Sequence, residues 1–349
     1  MVVVVTRRFF ALNSAFLTLN FCLTCAAKPP AARQLVERSF VSMGSSLKIA
    51  IWTADPSQAT AAADRVAREF DRLESLLSVW KNGSDVVRLN AAAGRAPVPV
   101  SRETLEVLAA ARMASEMTAG KFDITFGALA DIWKFDHDQD NSVPDRTAIE
   151  KRLPLVDYRA VQVNAAKGMA FITRPGVRVH LGGIGKGYAV DRAVDLLRAA
   201  NLRDFLIQAG GDIYAAGTNN GTPWKLGLAD PRSDHSAFAA LELHDGTFST
   251  AGDYERFFVK DGVRYHHLID PDRGEPARLC RSVTIVADRA TTADVLSTGV
   301  FIMGPDQGMA LIEQLPNVEG VIVTAANEVL ISSGLKNRVE IKGLPTGEP

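Results

Sequence analysis

Residues His180 to Asp191, "HLGGIGKGYAVD", set one lysine among four glycines at the start of a predicted helix. Glycine turns that open a helix often cradle phosphate on their backbone N–H groups. Neither standard phosphate fingerprint fits, however. A P-loop needs glycine five residues before its Gly-Lys pair and Ser or Thr after the lysine. Here those places hold His180 and Gly187. The spacing Gly183-x-Gly185-x-Gly187 also departs from G-x-G-x-x-G. Lys186 falls in the first helical turn, where a cation opposes the helix dipole by up to about 1 kcal/mol. An anion bound at the same place would cancel that penalty. A surface lysine beside a tight turn is the other reading.

A second pair lies in "TTADVLSTG". Asp294 and Thr298 are four apart, so a helix stacks them on one face. A carboxylate and a hydroxyl are hard oxygen donors of the kind Mg²⁺ takes alongside phosphate or water. Asp near a helix start is equally a cap or dipole partner. A third cluster, "STAGDYERFFVKDGVRYHHLIDPDRG", concentrates Asp253, Tyr254, Arg256, His266, His267 and Asp270 over a predicted hairpin. Four further histidines, His137, His180, His235 and His244, are scattered. On an alternating strand the adjacent pair faces opposite sides, so at most one of the two reaches a given site. "IDP-x-x-G" is also ordinary turn chemistry.

These residues need a frame. "SLKIAIWT" alternates as a strand, and Pro56 to Leu77 has helical periodicity with Ala62, Val66, Phe70, Leu73 and Leu77 on one face. Ser101 and Gly120 bracket a further helix. "VRVHL" reads as a short strand, with a helix over 184–200 behind it. "DFLIQAGGD", "PWKLGLADP", "AALELHDGTFST", "RFFVKDGVRYHHLID" and "RSVTIVAD" read as strands, and "KDG" as a hairpin turn. Helices follow over 291–303 and 305–314, then the strands "GVIVTA" and "EVLIS". The mixture lacks strict βαβ alternation, which predicts an α+β fold, antiparallel-rich, in one unit over residues 34–343. "DHDQDNSVPD" lacks the glycine and terminal glutamate of an EF-hand and reads as a solvated loop.

The net charge is -1, with no basic stripe, which argues against a nucleic-acid partner. At the N-terminus, Arg7 and Arg8 precede an apolar run from Phe9 to Leu23 and small residues to Ala27. That is the pattern of an export signal over residues 1–27, and "TRRFF" resembles the twin-arginine type. Export to the periplasm is expected, with the chain free there or held at the inner membrane. Cys22 and Cys25 lie in that segment, so Cys280 stands alone in the mature chain and forms no internal disulfide.

Nine segments in order carry a resemblance over nearly the whole mature chain: "MGSSLKI", "LSVWKNGSDVVRLN", "GKFDITFGAL", "LGGIGKGYAVD", "QAGGDIYAAG", "PWKLGLADP", "STAGDYERFF", "YHHLIDPDRGEPA" and "SVTIVADRATTADVLSTGVFIMG". Together they resemble the FAD:protein FMN transferases, the ApbE family. The resemblance implies an ApbE-type α+β fold, Mg²⁺, and FAD as substrate. It also implies FMN transfer, with release of AMP, through a phosphoester to Thr or Ser of an exported target, an electron-transfer subunit by analogy. It implies FAD contacts at Met43, Trp80, Lys121, Phe122, Asp123, Lys186 and the Leu268 backbone, and metal ligands Asp294, Thr298 and the Gly183 carbonyl. His267 would be the base, His266 the runner-up, with Asp253 or Asp270 orienting it. This chain departs from the family at His180, an FAD contact that is usually Asp; at Ala251, usually Ser; and at Trp80, often Tyr. An FAD pyrophosphatase and a non-catalytic flavin-binding protein are the alternatives.

Overall fold

The computed structural model describes residues 32–136, 138–233 and 236–347. The expected signal segment, with Cys22 and Cys25, and both His137 and His235 lie outside them. Among the described residues no helix is long and apolar enough to cross a membrane.

The frame is an eight-stranded antiparallel sheet whose strands lie side by side in chain order. They are β1 (Gln34–Ser42), β2 (Ser45–Thr53), β3 (Asp204–Ala209), β4 (Asp212–Ala216), β5 (Gly246–Gly252), β6 (Cys280–Ala287), β7 (Glu319–Thr324) and β8 (Val329–Ile331). The helices are α1 (Pro56–Leu77), α2 (Asp85–Ala91), α3 (Arg102–Met117), α4 (Arg146–Arg152), α5 (Gly185–Ala199), α6 (Ala290–Met303) and α7 (Pro305–Gln314). Helices α1, α5, α6 and α7 cover one face of the sheet. A three-stranded sheet of Trp224–Ala229, Ala237–Leu243 and Val339–Ile341 covers the other. Strand β6 is therefore buried along its whole length, the polar Arg281, Ser282 and Thr284 included. The mixed, antiparallel-rich α+β class matches the sequence reading.

Local chemistry accounts for the elements. Helix α1 begins at Pro56, with Asp55 accepting from the Gln58 N–H, and buries Val66, Phe70, Leu73 and Leu77 as the periodicity requires. Ser101 caps α3 through the Thr104 N–H at 3.2 Å. The "KDG" hairpin, Phe257–Lys260 with Val263–His266, turns at Asp261 and Gly262, both with positive φ.

One expected strand is absent. "VRVHL" makes only an isolated parallel bridge between Arg178 and Phe126. The Asn90 side chain does the work of a strand neighbour: its amide donates to the Val179 carbonyl at 2.9 Å and accepts from the Val179 N–H at 2.7 Å. Strand β1, helices α2 and α4, and the small sheet Val98–Pro99, Met169–Ile172 and Val161–Asn164 were not foreseen.

A satellite core sits apart from the main one. Leu129, Trp133, Phe135, Ile149, Phe258 and Ile269 form it, with Tyr265 packed alongside. Four of its rings stack between the segment at 133–135 and the hairpin, with centroids 5.3–5.8 Å apart. This cluster fixes the hairpin, and hence His267, beside the sheet.

Candidate active site

A cavity of about 520 Å³ is lined by residues from all three chemical clusters. Met43, Trp80, Lys121, Phe122, Asp123, His180, Gly183, Lys186, His267, Leu268, Asp294 and Thr298 line it; Asp253 and Asp270 do not.

Its floor is the junction of α5 and α6, two helices that cap each other. Ile184, at the α5 N-cap, offers no side-chain oxygen; instead Asp294, in α6, accepts from the Gly187 N–H at 2.9 Å. Reciprocally, Asp191 in α5 accepts from the N–H groups of Ala290 and Thr291 at 2.9 and 3.0 Å and from the Thr291 hydroxyl at 2.6 Å. Each buried carboxylate thus meets the positive end of the other helix. Gly187 is needed for that approach, because a Cβ there would lie 2.5 Å from the Ala290 carbonyl oxygen. Metal-ligand and cap readings of Asp294 are compatible, since one oxygen does the capping.

Thr298 follows one turn after Asp294, and its Oγ1 lies 3.6 Å from where a Gly183 Cβ would stand. Carboxylate, hydroxyl and the Gly183 carbonyl form a hard oxygen set. Burial, and after it the neighbouring Asp212, pushes the Asp294 carboxyl up to about 7. A cation would relieve that strain. Among the described residues no three His, Cys, Asp or Glu side chains converge into a cage. The donors present fit Mg²⁺, which is commonly held by one or two carboxylates plus phosphate and water. Asp212, missed in the sequence, is buried, accepts from the Ser249 hydroxyl at 2.5 Å and lies 3.9 Å from the Lys186 ammonium. Its signal was a lone carboxylate between "GG" and an apolar strand. With Asp212 beside it, Lys186 tolerates the helix N-terminus.

On the hairpin side, His266 and His267 diverge as alternation requires. His266 is buried against Phe301; its Nδ1 accepts from the Leu268 N–H and its Nε2–H donates to the Ala277 carbonyl at 2.8 Å. Both nitrogens are occupied, so His266 is a structural residue. His267 approaches the Arg256 carbonyl through Nδ1 at 3.4 Å. A carbonyl only accepts, so the proton sits on Nδ1 and Nε2 keeps a lone pair. Burial, then the Arg256 cation, holds His267 well below its ordinary pKa. It is neutral near pH 7.

One expectation changes. Neither Asp253 nor Asp270 orients His267. Asp253 is held bidentately by Arg232 at 2.7 and 2.8 Å, and Asp270 accepts from Lys121 at 2.8 Å inside its own turn. Lys121 is also paired with Asp272, so its ammonium is already neutralised. Asp123 uses one oxygen on Thr125 and the other on the Tyr158 N–H, and the Leu268 N–H and C=O already bond His266 and Ala277. These groups shape the wall before any ligand enters. His180 is not cationic at neutral pH: burial pushes it down to about 4, and its Nδ1 accepts from the Gly182 N–H. Met43 lines the cavity from the two-residue turn between β1 and β2, with φ 50°. That left-handed conformation is uncommon for a residue other than glycine.

Comparison with known proteins decides the family. The ApbE family model matches residues 43–322. The chain belongs to the ApbE family. It is 32% identical over 340 residues to a Treponema pallidum protein named FAD:protein FMN transferase, covering 92% of this chain and 94% of that one. A Klebsiella pneumoniae protein of the same name is 33% identical over 84% of this chain and 91% of its own length. The fold agrees. The Thermotoga maritima ApbE crystal structure superposes with a TM-score of 0.80 at 34% identity, over 87% of this chain and 98% of that one. The Vibrio cholerae flavin transferase ApbE superposes at 0.79 and 27% identity, over 88% and 99%. Trp80 lines the cavity and is 54% exposed.

Proposed function

We propose that this chain is an Mg²⁺-dependent FAD:protein FMN transferase that joins FMN by a phosphoester to a Thr or Ser of an exported acceptor and releases AMP. The observation that carries this reading is one cavity holding a neutral imidazole with a free Nε2, an ammonium, and a buried carboxylate one turn from a half-buried hydroxyl. The names of its relatives support the reaction class.

FAD would lie along the wall formed by Met43, Trp80, Phe122 and His180, with its diphosphate toward Lys186. Asp294, Thr298 and the Gly183 carbonyl would hold Mg²⁺, which when bound supplies a Lewis acid for diphosphate oxygens. Lys186 stabilises charge gathering on the diphosphate. His267 Nε2 takes the proton of the acceptor hydroxyl, whose oxygen bonds to the FMN phosphorus. The bridging oxygen leaves on AMP. Proton transfer of this kind contributes about 10²–10⁴-fold.

The pattern of residues 1–27 supports export, and electron-transfer subunits of the periplasm or inner membrane are the acceptors proposed. The test is to incubate purified protein with FAD, Mg²⁺ and such a subunit, then run a denaturing gel under flavin fluorescence. A fluorescent acceptor band is expected. Free FMN and AMP without a band would indicate a pyrophosphatase, and unchanged bound FAD a flavin-binding protein.

A further inference from the structure

The loop after the satellite core docks on the hairpin at three successive residues. Asp136 accepts from Arg256 Nη1 at 2.6 Å, the Gln139 amide donates to the Phe257 carbonyl at 3.2 Å, and Phe135 stacks on Phe258 with centroids 5.6 Å apart. Arg256 and Asp136 both line the cavity. The Arg256 carbonyl takes two contacts from His267, the backbone N–H at 3.1 Å and Nδ1 at 3.4 Å. The side chains of the ion pair are 39% and 30% exposed, so the pair adds little to stability. Its place beside the imidazole calls for another explanation.

We propose that Asp136 and Arg256 are a positioning pair for His267: Asp136 pins Arg256 so that its carbonyl holds the Nδ1 proton and Nε2 keeps the lone pair. This rests on the reading of His267 as the base. The charged groups that act on the ring are Arg256, His266 next to it and Lys186 from α5, while Glu255, Asp136 and Asp138 line the same cavity. Of the cations, Arg256 disfavours the imidazolium most. Removing its charge lets the ring hold a second proton to higher pH, so the base form is lost earlier on acidification.

Protein carrying ¹⁵N-imidazole histidine, free of FAD and acceptor, tests this by NMR titration, the His267 signal being identified by its loss in His267→Gln. The native ring is expected as the Nδ1–H tautomer, titrating below the ordinary histidine range. Arg256→Met should raise its midpoint by about one pH unit and mix the tautomers. Arg256→Lys should restore the midpoint to within a few tenths of a unit. Asp136→Asn should mix the tautomers, and adding it to Arg256→Met should change nothing further, as for two residues acting as a unit. The acid limb of kcat/KM for transfer should move in the same order. An unchanged His267 signal in Arg256→Met, additive effects in the double variant, or a Lys variant indistinguishable from Met would overturn the pair. Because the spectrum needs no turnover, a native protein that transfers no FMN would sink the proposed function and leave this result standing.

Discussion

Gly187→Ala concentrates the account of the site floor in one methyl group. The added Cβ would stand 2.5 Å from the Ala290 oxygen, 2.9 Å from its carbonyl carbon and 2.7 Å from the Asp294 Cβ. Ordinary contacts between such atoms are about 3.5 Å, so α5 and α6 must part by roughly 1 Å. Overpacking of this kind costs about 1–3 kcal/mol. The parting also stretches the Asp294 and Asp191 caps, each worth about 1 kcal/mol. The expected loss is about 3 kcal/mol. Gly185→Ala is the control: it lies two residues earlier in the same helix, and nothing lies within 4 Å of its Cβ. There the change should be neutral or stabilising by about 0.5–1 kcal/mol. Urea unfolding of both variants, compared at equal m, measures the difference. Since Asp294 moves with α6, Gly187→Ala should also weaken Mg²⁺ binding by calorimetry. Two variants that unfold within about 0.5 kcal/mol of each other would refute the reciprocal capping and the close approach together.

Other outcomes follow from the same geometry. His267→Ala should bind FAD normally, by flavin fluorescence titration, yet transfer FMN about 10²–10⁴-fold more slowly. Asp294→Asn keeps an oxygen for the Gly187 N–H but removes the charge; Mg²⁺ should raise the melting midpoint of the native protein and not of this variant. His180 has its pKa depressed to about 4 in the fold, against about 6.5 unfolded. The unfolded chain therefore binds the extra proton first, and stability present above pH 6.5 is lost as pH falls toward 4. His180→Asn, which keeps an acceptor for the Gly182 N–H, should flatten that acid slope by up to about 3 kcal/mol in melts against pH.

Periodicity located α1, which buries Val66, Phe70, Leu73 and Leu77 on one face, while α6, buried nearly all round, and α7, burying only Gly308 and Ile312, fall within a residue of their expected bounds. The resemblance to the ApbE family grouped Lys186, Asp294, Thr298 and His267, and the fold brings all four to one cavity. What stayed hidden depends on long-range partners. Nothing near "VRVHL" announces that Asn90, some ninety residues earlier, replaces its strand neighbour. Asp253 and Asp270 look like partners for His267 in sequence, yet Arg232 and Lys121 reach them first. Asp136 sat in a stretch read as solvated loop, and only the fold brings it to Arg256. Asp191 and Asp294 each cap a helix that begins about a hundred residues away, which no local pattern records.

The central claim is that the cavity moves FMN onto a protein hydroxyl. Intact-mass measurement of the acceptor subunit after incubation with FAD, Mg²⁺ and the purified protein tests it most directly. The expected result is a gain of one FMN less water on a single Thr or Ser, with one AMP released per acceptor modified and none when Mg²⁺ is chelated. An acceptor of unaltered mass beside accumulating FMN and AMP would contradict it.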